Sequence, residues 1–567
     1  MMLVSPAALR DDASDCDTDF ANHNTLPWVF AVASRRRGGK MSRVNREAAI
    51  TRLADTNKLW DIAVIGGGAT GAGVAVDAAD RGYSVCLVEQ SDFGKCTSSR
   101  STKLIHGGVR YLQQGNVSLV MEALKERGIL RRNAPHLVHD LAFIVPNYAW
   151  WEGPFYGIGM KVYDVLAGRY GFGKSRHLSK EQVLQRIPTL EQDGLRGGVL
   201  YYDGQFDDAR LLIDLLLTAD EQGATLANYA KVVTLGHDSE RFIDGFSFID
   251  LETNGTHKIR ARAVVNATGA FCDAVRQIDD PSAAPMIAPS QGVHVVLDRG
   301  FLPGDSAIMV PHTSDGRVMF AIPWHDHVLI GTTDTEIQQA TLEPVPFDHE
   351  IDFILETAGQ YLARRPTRAD IRSVFAGIRP LVKGAQITNT AALSRDHTIS
   401  ISDSGLITIA GGKWTTYRRM AEDCVDQAAT LGKLDERSCV TRTLHIHGYH
   451  ESAEQFGQLH VYGSDAAEIQ HLIEADPALA RVLHQRLPIR AAQVVWAVRH
   501  EMARTVDDVL ARRTRALVLD AKAAMDMAPA VARIMAAERQ LDSAWENAQI
   551  ADFESIARGY LAKNSGV

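Results

Sequence analysis

DIAVIGGGATGAGVAVDAADRGYSVCLVE, residues 61–89, is the stretch that decides the fold. DIAVI (61–65) and YSVCLVE (83–89) are short continuous apolar runs, the mark of strands buried on both faces. The residues between them predict a helix from about Thr70 to Arg81. Strand, helix and strand in so short a span make a βαβ unit on a parallel sheet. Gly66, Gly68 and Gly71 stand as G-x-G-x-x-G at the first strand-to-helix turn. Glycines there permit a tight turn and let backbone N–H groups approach a pyrophosphate at a helix N-terminus. Glu89 ends the second strand, 23 positions after Gly66 (89 − 66), where a carboxylate meets the hydroxyls of a ribose. A lone glycine motif is weak, but here strand, helix, second strand and terminal acid agree on a dinucleotide.

Working outward, a short helix is expected over 46–56, and further helices over 116–133, 179–186 and 208–222, the last opened by Asp207 or Asp208 as N-cap. Strands follow between 230 and 265. Residues 285–335 alternate strands with polar turns and read as an antiparallel, substrate-facing sheet. A helix is expected over 348–363, a buried strand over 405–411, a helix from about Trp414 to Leu431, and mostly helix from 463 onward. At 567 residues the chain is too long for one ordinary core.

A net charge of −9 gives no basic surface of the kind a nucleic-acid binder carries, so no nucleic-acid partner is expected. Six scattered cysteines form no C-x-x-C pair, which argues against a zinc or iron–sulfur site. No run of 18 apolar residues is present to span a bilayer. Residues 1–45 are expected to be a disordered extension, or to reflect a start upstream of a working start at Met41. Segment 24–40 sets its apolar run before its arginines, the reverse of a signal peptide.

FAD is favoured over NAD on two grounds. The βαβ unit opens the core, and a second glycine-rich strand–turn–helix, GLITIAGGKWTTYRRMAED (405–423), lies far downstream, where the longer cofactor needs a second hold. Gly411 and Gly412 precede a helix whose N-terminus would favour the negative charge of reduced flavin. VVNATGAF (264–271), with Ala267 and Gly269, is a third strand ending in a glycine turn, suited to the adenine side.

The run from 61 to 112 closely resembles the aerobic FAD-dependent glycerol-3-phosphate dehydrogenases. So do SQGVHVVLD (290–298), IGTTDT (330–335), FAGIRPLV (375–382), LSRDHTI (393–399) and AGGKWTTYRRMAED (410–423), in the family's order across roughly 56–430. The resemblance implies an α/β fold: a Rossmann-like FAD-binding domain with an antiparallel β-sheet substrate domain and a C-terminal helical domain. The FAD domain is expected to be discontinuous (about 56–140, 205–280 and 370–430), interleaved with the substrate domain (about 141–204 and 281–369), and followed by the helical domain at 435–567. It further implies oxidation of sn-glycerol 3-phosphate to dihydroxyacetone phosphate by hydride transfer to flavin N5. The implied partners are a membrane quinone (ubiquinone or menaquinone), a membrane surface and a second copy in a homodimer, at the cytoplasmic face of a bacterial inner membrane.

A phosphate dianion calls for fixed cations, and arginine binds two oxygens at once. Arg110, Arg379 and Arg395 lie in the matched blocks; with Tyr111 they form the expected substrate-binding set. His294 is the first candidate for the base that takes the proton of the C2 hydroxyl, since a neutral imidazole titrates in the right range. Arg379 or Lys413 would instead stabilise a developing alkoxide, or Lys413 the reduced flavin, and the sequence leaves these roles open. Ser98, Ser99 and Thr102 form a hydroxyl-rich turn expected on the pyrophosphate or flavin. Val233, Lys413 and Thr415 complete the expected cofactor set. Trp414 stands where many members carry a small apolar residue.

Segment 147–172 is rich in aromatics. Trp150, Trp151, Phe155 and Tyr156 are read either as a membrane-interface layer or as loop packing. Rival functions are a glycerol-3-phosphate oxidase using oxygen, an amine or amino-acid oxidase of the same fold, and a flavin-binding protein without chemistry. The anaerobic dehydrogenase subunit is disfavoured because no cysteine follows Cys439. No calcium-binding loop motif appears, and no metal site is expected.

Overall fold

The computed structural model describes residues 45–108, 117–311, 313–314, 316–383 and 397–562. The expected βαβ unit is formed by a strand Leu59–Ile65, a helix Ala69–Asp80 and a strand Val85–Val88, with Ile62 to Ile65 paired in parallel with Val85 to Val88. Strand Thr256–Asn266 pairs in parallel on the other side of the first strand, and Ile407–Gly411 lies beyond it. The resulting eight-stranded sheet carries an antiparallel arm, Ala230–His237 and Ile243–Asp250.

Alternation along these strands sorts the core. Ile62, Val64, Val85 and Leu87 pack under the helices Ala69–Asp80, Asp208–Glu221 and Tyr417–Leu431. Ala63, Ile65, Cys86 and Val88 point the other way, against Phe246 and Phe248 of the arm. Asp207, not Asp208, caps the helix Asp208–Glu221, accepting from the Arg210 amide at 3.1 Å. Its leucines 211, 212, 215 and 216 are buried, each contributing about 1.5–3 kcal/mol of burial.

The second sheet has ten strands and is antiparallel apart from one parallel pair, Ser306–Val310 with Val138–Asn147. One boundary expected from sequence is corrected. Strand Ile371–Val382, assigned to the dinucleotide domain, pairs along its length with Ile287–Asp298 and belongs to this second sheet. Both of its faces are buried, Phe375 in one core and Val374 and Ala376 in another. Its sequence therefore lacks the polar alternation that marks a half-exposed strand. Gly197–Phe206 joins this sheet from within the segment expected to belong to it, and Leu104–Ile105 pairs with it.

Helices of the C-terminal region, among them Ala491–His500 and Ala521–Arg539, pack on one face of the second sheet. Val494, Val509, Leu517, Met527 and Val531 share a core there with Phe143, Trp324 and Phe375. Among the described residues no helix is long and apolar enough to cross a membrane.

The aromatic segment forms the helix Glu152–Ala167. Tyr156, read as an interfacial ring, is buried with Met160, Tyr163 and Ala167. Trp151, Phe155, Ile158, Val162 and Val165 face outward one turn apart, preceded by Trp150, which is 78% exposed. A helix apolar on all sides is ordinarily covered.

Candidate active site

Two adjoining cavities open at the carboxyl ends of the parallel strands, where ligands of open α/β sheets bind. The first, of about 400 Å³, is lined by Gly66, Gly68, Ala69, Glu89, Lys95–Ser98, Ala230–Val232, Ala267–Phe271 and Gly411–Trp414. The helix Ala69–Asp80 begins at Gly68 with no side-chain cap from that residue and no acid in its first turn, which leaves its N-terminus receptive to an anion. Ser98 Oγ accepts from the Ala69 amide at 2.9 Å, so its own proton can be given to a phosphate oxygen.

Glu89 accepts from the Gly67 amide through Oε2 at 2.7 Å and from the Ser91 amide through Oε1 at 2.9 Å. Burial pushes its carboxyl up from the ordinary range, and these amides pull it part of the way back. Each oxygen keeps a lone pair for a ribose hydroxyl. Gly71 lines neither of the two cavities; a Cβ there would lie 1.9 Å from the Gly66 carbonyl oxygen, so its role is to let the helix sit on the turn. A helix end with no acid in its first turn, a glycine cradle and a carboxylate at the second strand's end fit the pyrophosphate and ribose of FAD.

Two of the expected cofactor contacts fall outside the lining of both cavities. Ser99 is buried and donates to the Gly94 carbonyl at 2.8 Å, and it lines neither cavity because its hydroxyl closes the loop on itself. Val232 lines the first cavity in place of Val233, which is the extra residue of a bulge between Val232 and Thr234.

The second cavity, of about 230 Å³, shares Thr97, Pro380 and Gly411–Trp414 with the first. It gathers Thr102, His106, His294, Arg379, Lys413 and Thr415. Arg379 crosses over Gly292 of the paired strand; a Cβ on Gly292 would meet Nη2 at 2.4 Å. Its guanidinium donates to the Thr333 carbonyl at 2.9 Å, to Thr332 Oγ1 at 3.2 Å and to Asp334 Oδ1 at 3.3 Å. The Asp334 carboxylate also accepts from Ser290 Oγ, which fixes its direction.

His294 stacks on Phe375 with ring centroids 5.0 Å apart, and its Nε2 lies 2.9 Å from Thr102 Oγ1. Burial first, and then the charges of Arg379 and Lys103, hold its pKa well below the ordinary histidine value. These causes favour the neutral ring.

Lys103 was not singled out by the sequence reading. Its Nζ is fully buried, donates to both oxygens of Asp208 at 2.7 and 2.8 Å and to the Ser99 carbonyl at 2.8 Å, and lies over the Trp324 and Phe375 rings. Its place three residues before His106, in the same matched block, was the available signal. Trp414 donates its indole N–H to the Ser98 carbonyl at 2.9 Å and meets Phe206 edge-on, pinning the cofactor turn to the start of the downstream helix. Arg110, Tyr111 and Arg395 lie outside the described residues.

A parallel dinucleotide sheet whose cavity runs into a charged pocket on an antiparallel sheet defines a flavin-dependent oxidoreductase. Residues 61–418 match the family of FAD dependent oxidoreductases, and residues 407–546 match the C-terminal domain of alpha-glycerophosphate oxidase.

The chain is 41% identical over 556 residues to a probable mitochondrial glycerol-3-phosphate dehydrogenase of Caenorhabditis elegans, covering 92% of this chain and 77% of that one. It is 40% identical over 548 residues to the mitochondrial glycerol-3-phosphate dehydrogenase of Rattus norvegicus, covering 91% and 75%. The solved structure of the Bacillus halodurans glycerol-3-phosphate dehydrogenase, complexed with FAD, superposes with a TM-score of 0.75 at 30% identity, covering 93% of this chain and 100% of that one. The chain belongs to the FAD-dependent glycerol-3-phosphate dehydrogenase family.

Proposed function

We propose that the protein oxidises sn-glycerol 3-phosphate to dihydroxyacetone phosphate and passes the electrons to a membrane quinone. The observation that carries the substrate assignment is the meeting of Arg379, Lys413 and His294 around a cavity of about 230 Å³ that opens into the dinucleotide cavity. FAD, when bound, supplies the acceptor for the hydride leaving the substrate's C2.

Arg379, held at a fixed angle by Thr332, Thr333 and Asp334, offers positive charge to the phosphate or to a developing C2 oxyanion. Lys413 adds positive charge where the two cavities meet. His294, kept neutral by burial and nearby cations, takes the hydroxyl proton at Nε2 once Thr102 yields that position to substrate. Arg110, Tyr111 and Arg395 complete the phosphate site in this reading.

The membrane reading, with the protein held at the cytoplasmic face of a bacterial inner membrane, draws its support from the helix Glu152–Ala167. Its outward stripe borders an apolar groove lined by Ile158, Val162, Val165 and Leu166. Lys161 lines the groove, while Glu152 and Asp164 are taken up by backbone amides and Ser175. An apolar stripe with a basic neighbour suits a bilayer with anionic headgroups. Association as a homodimer is carried over from the family resemblance. A second reading, oxygen as acceptor, is favoured by the match of residues 407–546 to an oxidase domain.

Anaerobic stopped-flow mixing with sn-glycerol 3-phosphate tests the substrate: the flavin absorbance should bleach rapidly, and absence of bleaching refutes the assignment. Fast reoxidation by a short-chain quinone with slow reoxidation by air supports the dehydrogenase, and the reverse order supports the oxidase. Co-sedimentation with anionic vesicles, lost in Ile158→Glu/Val165→Glu, tests the membrane face.

A further inference from the structure

The turn that follows the second dinucleotide strand leaves the sheet at Glu89 and carries Lys95, Cys96, Thr97 and Ser98 into the cofactor cavity. It belongs to no strand of the parallel sheet, so its position depends on what it is tied to. One tie is Asp92, which is fully buried.

Asp92 accepts from Arg512 Nε at 2.5 Å, from Arg513 Nη1 at 2.6 Å and Nη2 at 2.9 Å, and from Asn228 Nδ2 at 3.3 Å. Both arginines are buried and come from a single π-helical turn, Asp508–Arg513. Consecutive side chains diverge by about 100° around an α-helix. The wider π turn narrows that angle and lets both guanidinium groups converge on one carboxylate. Such turns are rare and cluster at functional sites.

Two guanidinium groups on one carboxylate leave excess positive charge, and two further acids meet it. Arg512 Nη2 donates to Asp507 at 2.8 Å and to Asp508 at 2.9 Å. Asp507 in turn receives Lys95 Nζ at 3.2 Å, and Lys95 lines the cofactor cavity. Asp508 accepts from the Tyr229 hydroxyl at 2.7 Å, next to Ala230–Val232 on the cavity's other wall. Asn228 bridges Asp92 and the Met502 carbonyl, the latter at 3.0 Å. One buried cluster thus grips two of the segments that leave the sheet to line the cofactor cavity, 91–98 and 228–232. No described residue beyond Met420 lines either cavity.

We propose that Asp92, Asp507, Arg512 and Arg513 are positioning residues through which the C-terminal helical region sets the affinity for FAD without touching it. Burial pushes the Asp92 carboxyl up, but Arg513 and Arg512 outweigh that and hold it below the ordinary carboxylate range. Removing one partner of such a cluster leaves a buried charge uncompensated and acts mainly on dissociation rates.

The test is the rate of flavin release from diluted holoprotein, followed by the rise of free-flavin fluorescence. Arg512→Lys keeps the charge and loses the fork; Asp507→Asn keeps the shape and frees Lys95. Both should release flavin at least roughly tenfold faster, with the KM for sn-glycerol 3-phosphate unchanged. A lower unfolding temperature with an unchanged release rate would mean that the cluster only holds the fold, and the proposal fails.

Hydrogen exchange on the wild-type protein with and without FAD guards against variants that do not fold. Coupling is reciprocal, so loss of FAD should speed exchange across 505–515 as well as 91–98. Acceleration at 91–98 alone overturns the proposal.

Discussion

The two cavities are built by different means. The first is lined by turns that present backbone amides and carbonyls, with Glu89 and Ser98 beside them. The second is built from side chains, Thr102, His294, Arg379 and Lys413, brought together from segments far apart in the chain. Backbone recognition needs only the right glycines at the right spacing. Side-chain recognition needs the register of a sheet: Arg379 reaches the cavity because it stands opposite Ser290, two pairs from Gly292 and Gly377, and His294 stands opposite Phe375.

If this division is real, each cavity should fail in its own way. The largest effect is expected from Gly71→Val, which drives a side chain into the Gly66 carbonyl at the heart of the cofactor turn. Overpacking of this kind costs about 1–3 kcal/mol or more, concentrated on the cradle. The purified protein should be colourless by flavin absorbance, and retention of full colour would remove the cradle argument.

Arg379→Ala should lower kcat/KM for sn-glycerol 3-phosphate by roughly 10²–10³-fold while flavin content stays full. Loss of flavin in this variant would break the comparison.

His294→Asn should lower kcat by about 10²-fold. In the unaltered enzyme the acid limb of kcat/KM should fall below the ordinary histidine range, because burial, Arg379 and Lys103 all depress the imidazole pKa. The base form is present above that pKa and is lost as pH falls through it. Removing the Arg379 charge should move the limb to higher pH in the residual activity of Arg379→Ala; an unmoved limb would assign it to another group.

The smallest contrast is between neighbours. Ser98→Ala should weaken FAD binding by roughly three- to tenfold in a flavin titration. Ser99→Ala should leave it unchanged and lower only the unfolding temperature.

The same division explains what the sequence made legible. The cradle from Gly66 to Glu89 could be read because strand, turn and helix are contiguous and their glycines answer to local geometry. Val232 rather than Val233 lines the cavity because a bulge shifts the register there, and nothing in KVVTL marks a bulge. Ser99 could not be told from Ser98 without knowing which hydroxyl turns back to Gly94. Strand Ile371–Val382 lost its sheet assignment because burial on both faces erases the alternation that identifies an antiparallel strand. Lys103 went unremarked because a lysine is expected in water; its partner Asp208 lies 105 positions away. The cluster on Asp92 draws on residues 420 positions apart, and no spacing rule reaches that far.

Gly411 to Trp414 form a wall common to both cavities. A party wall constrains descent. A substitution there cannot retune the pocket for a new metabolite without also disturbing the nucleotide on its far side, so drift in this quartet is checked twice. On the two paired strands, Gly292, His294 and Gly377–Arg379 line only the substrate side. New specificities among descendants of this architecture are therefore expected to arise there, on the antiparallel sheet, with the wall passed down unaltered.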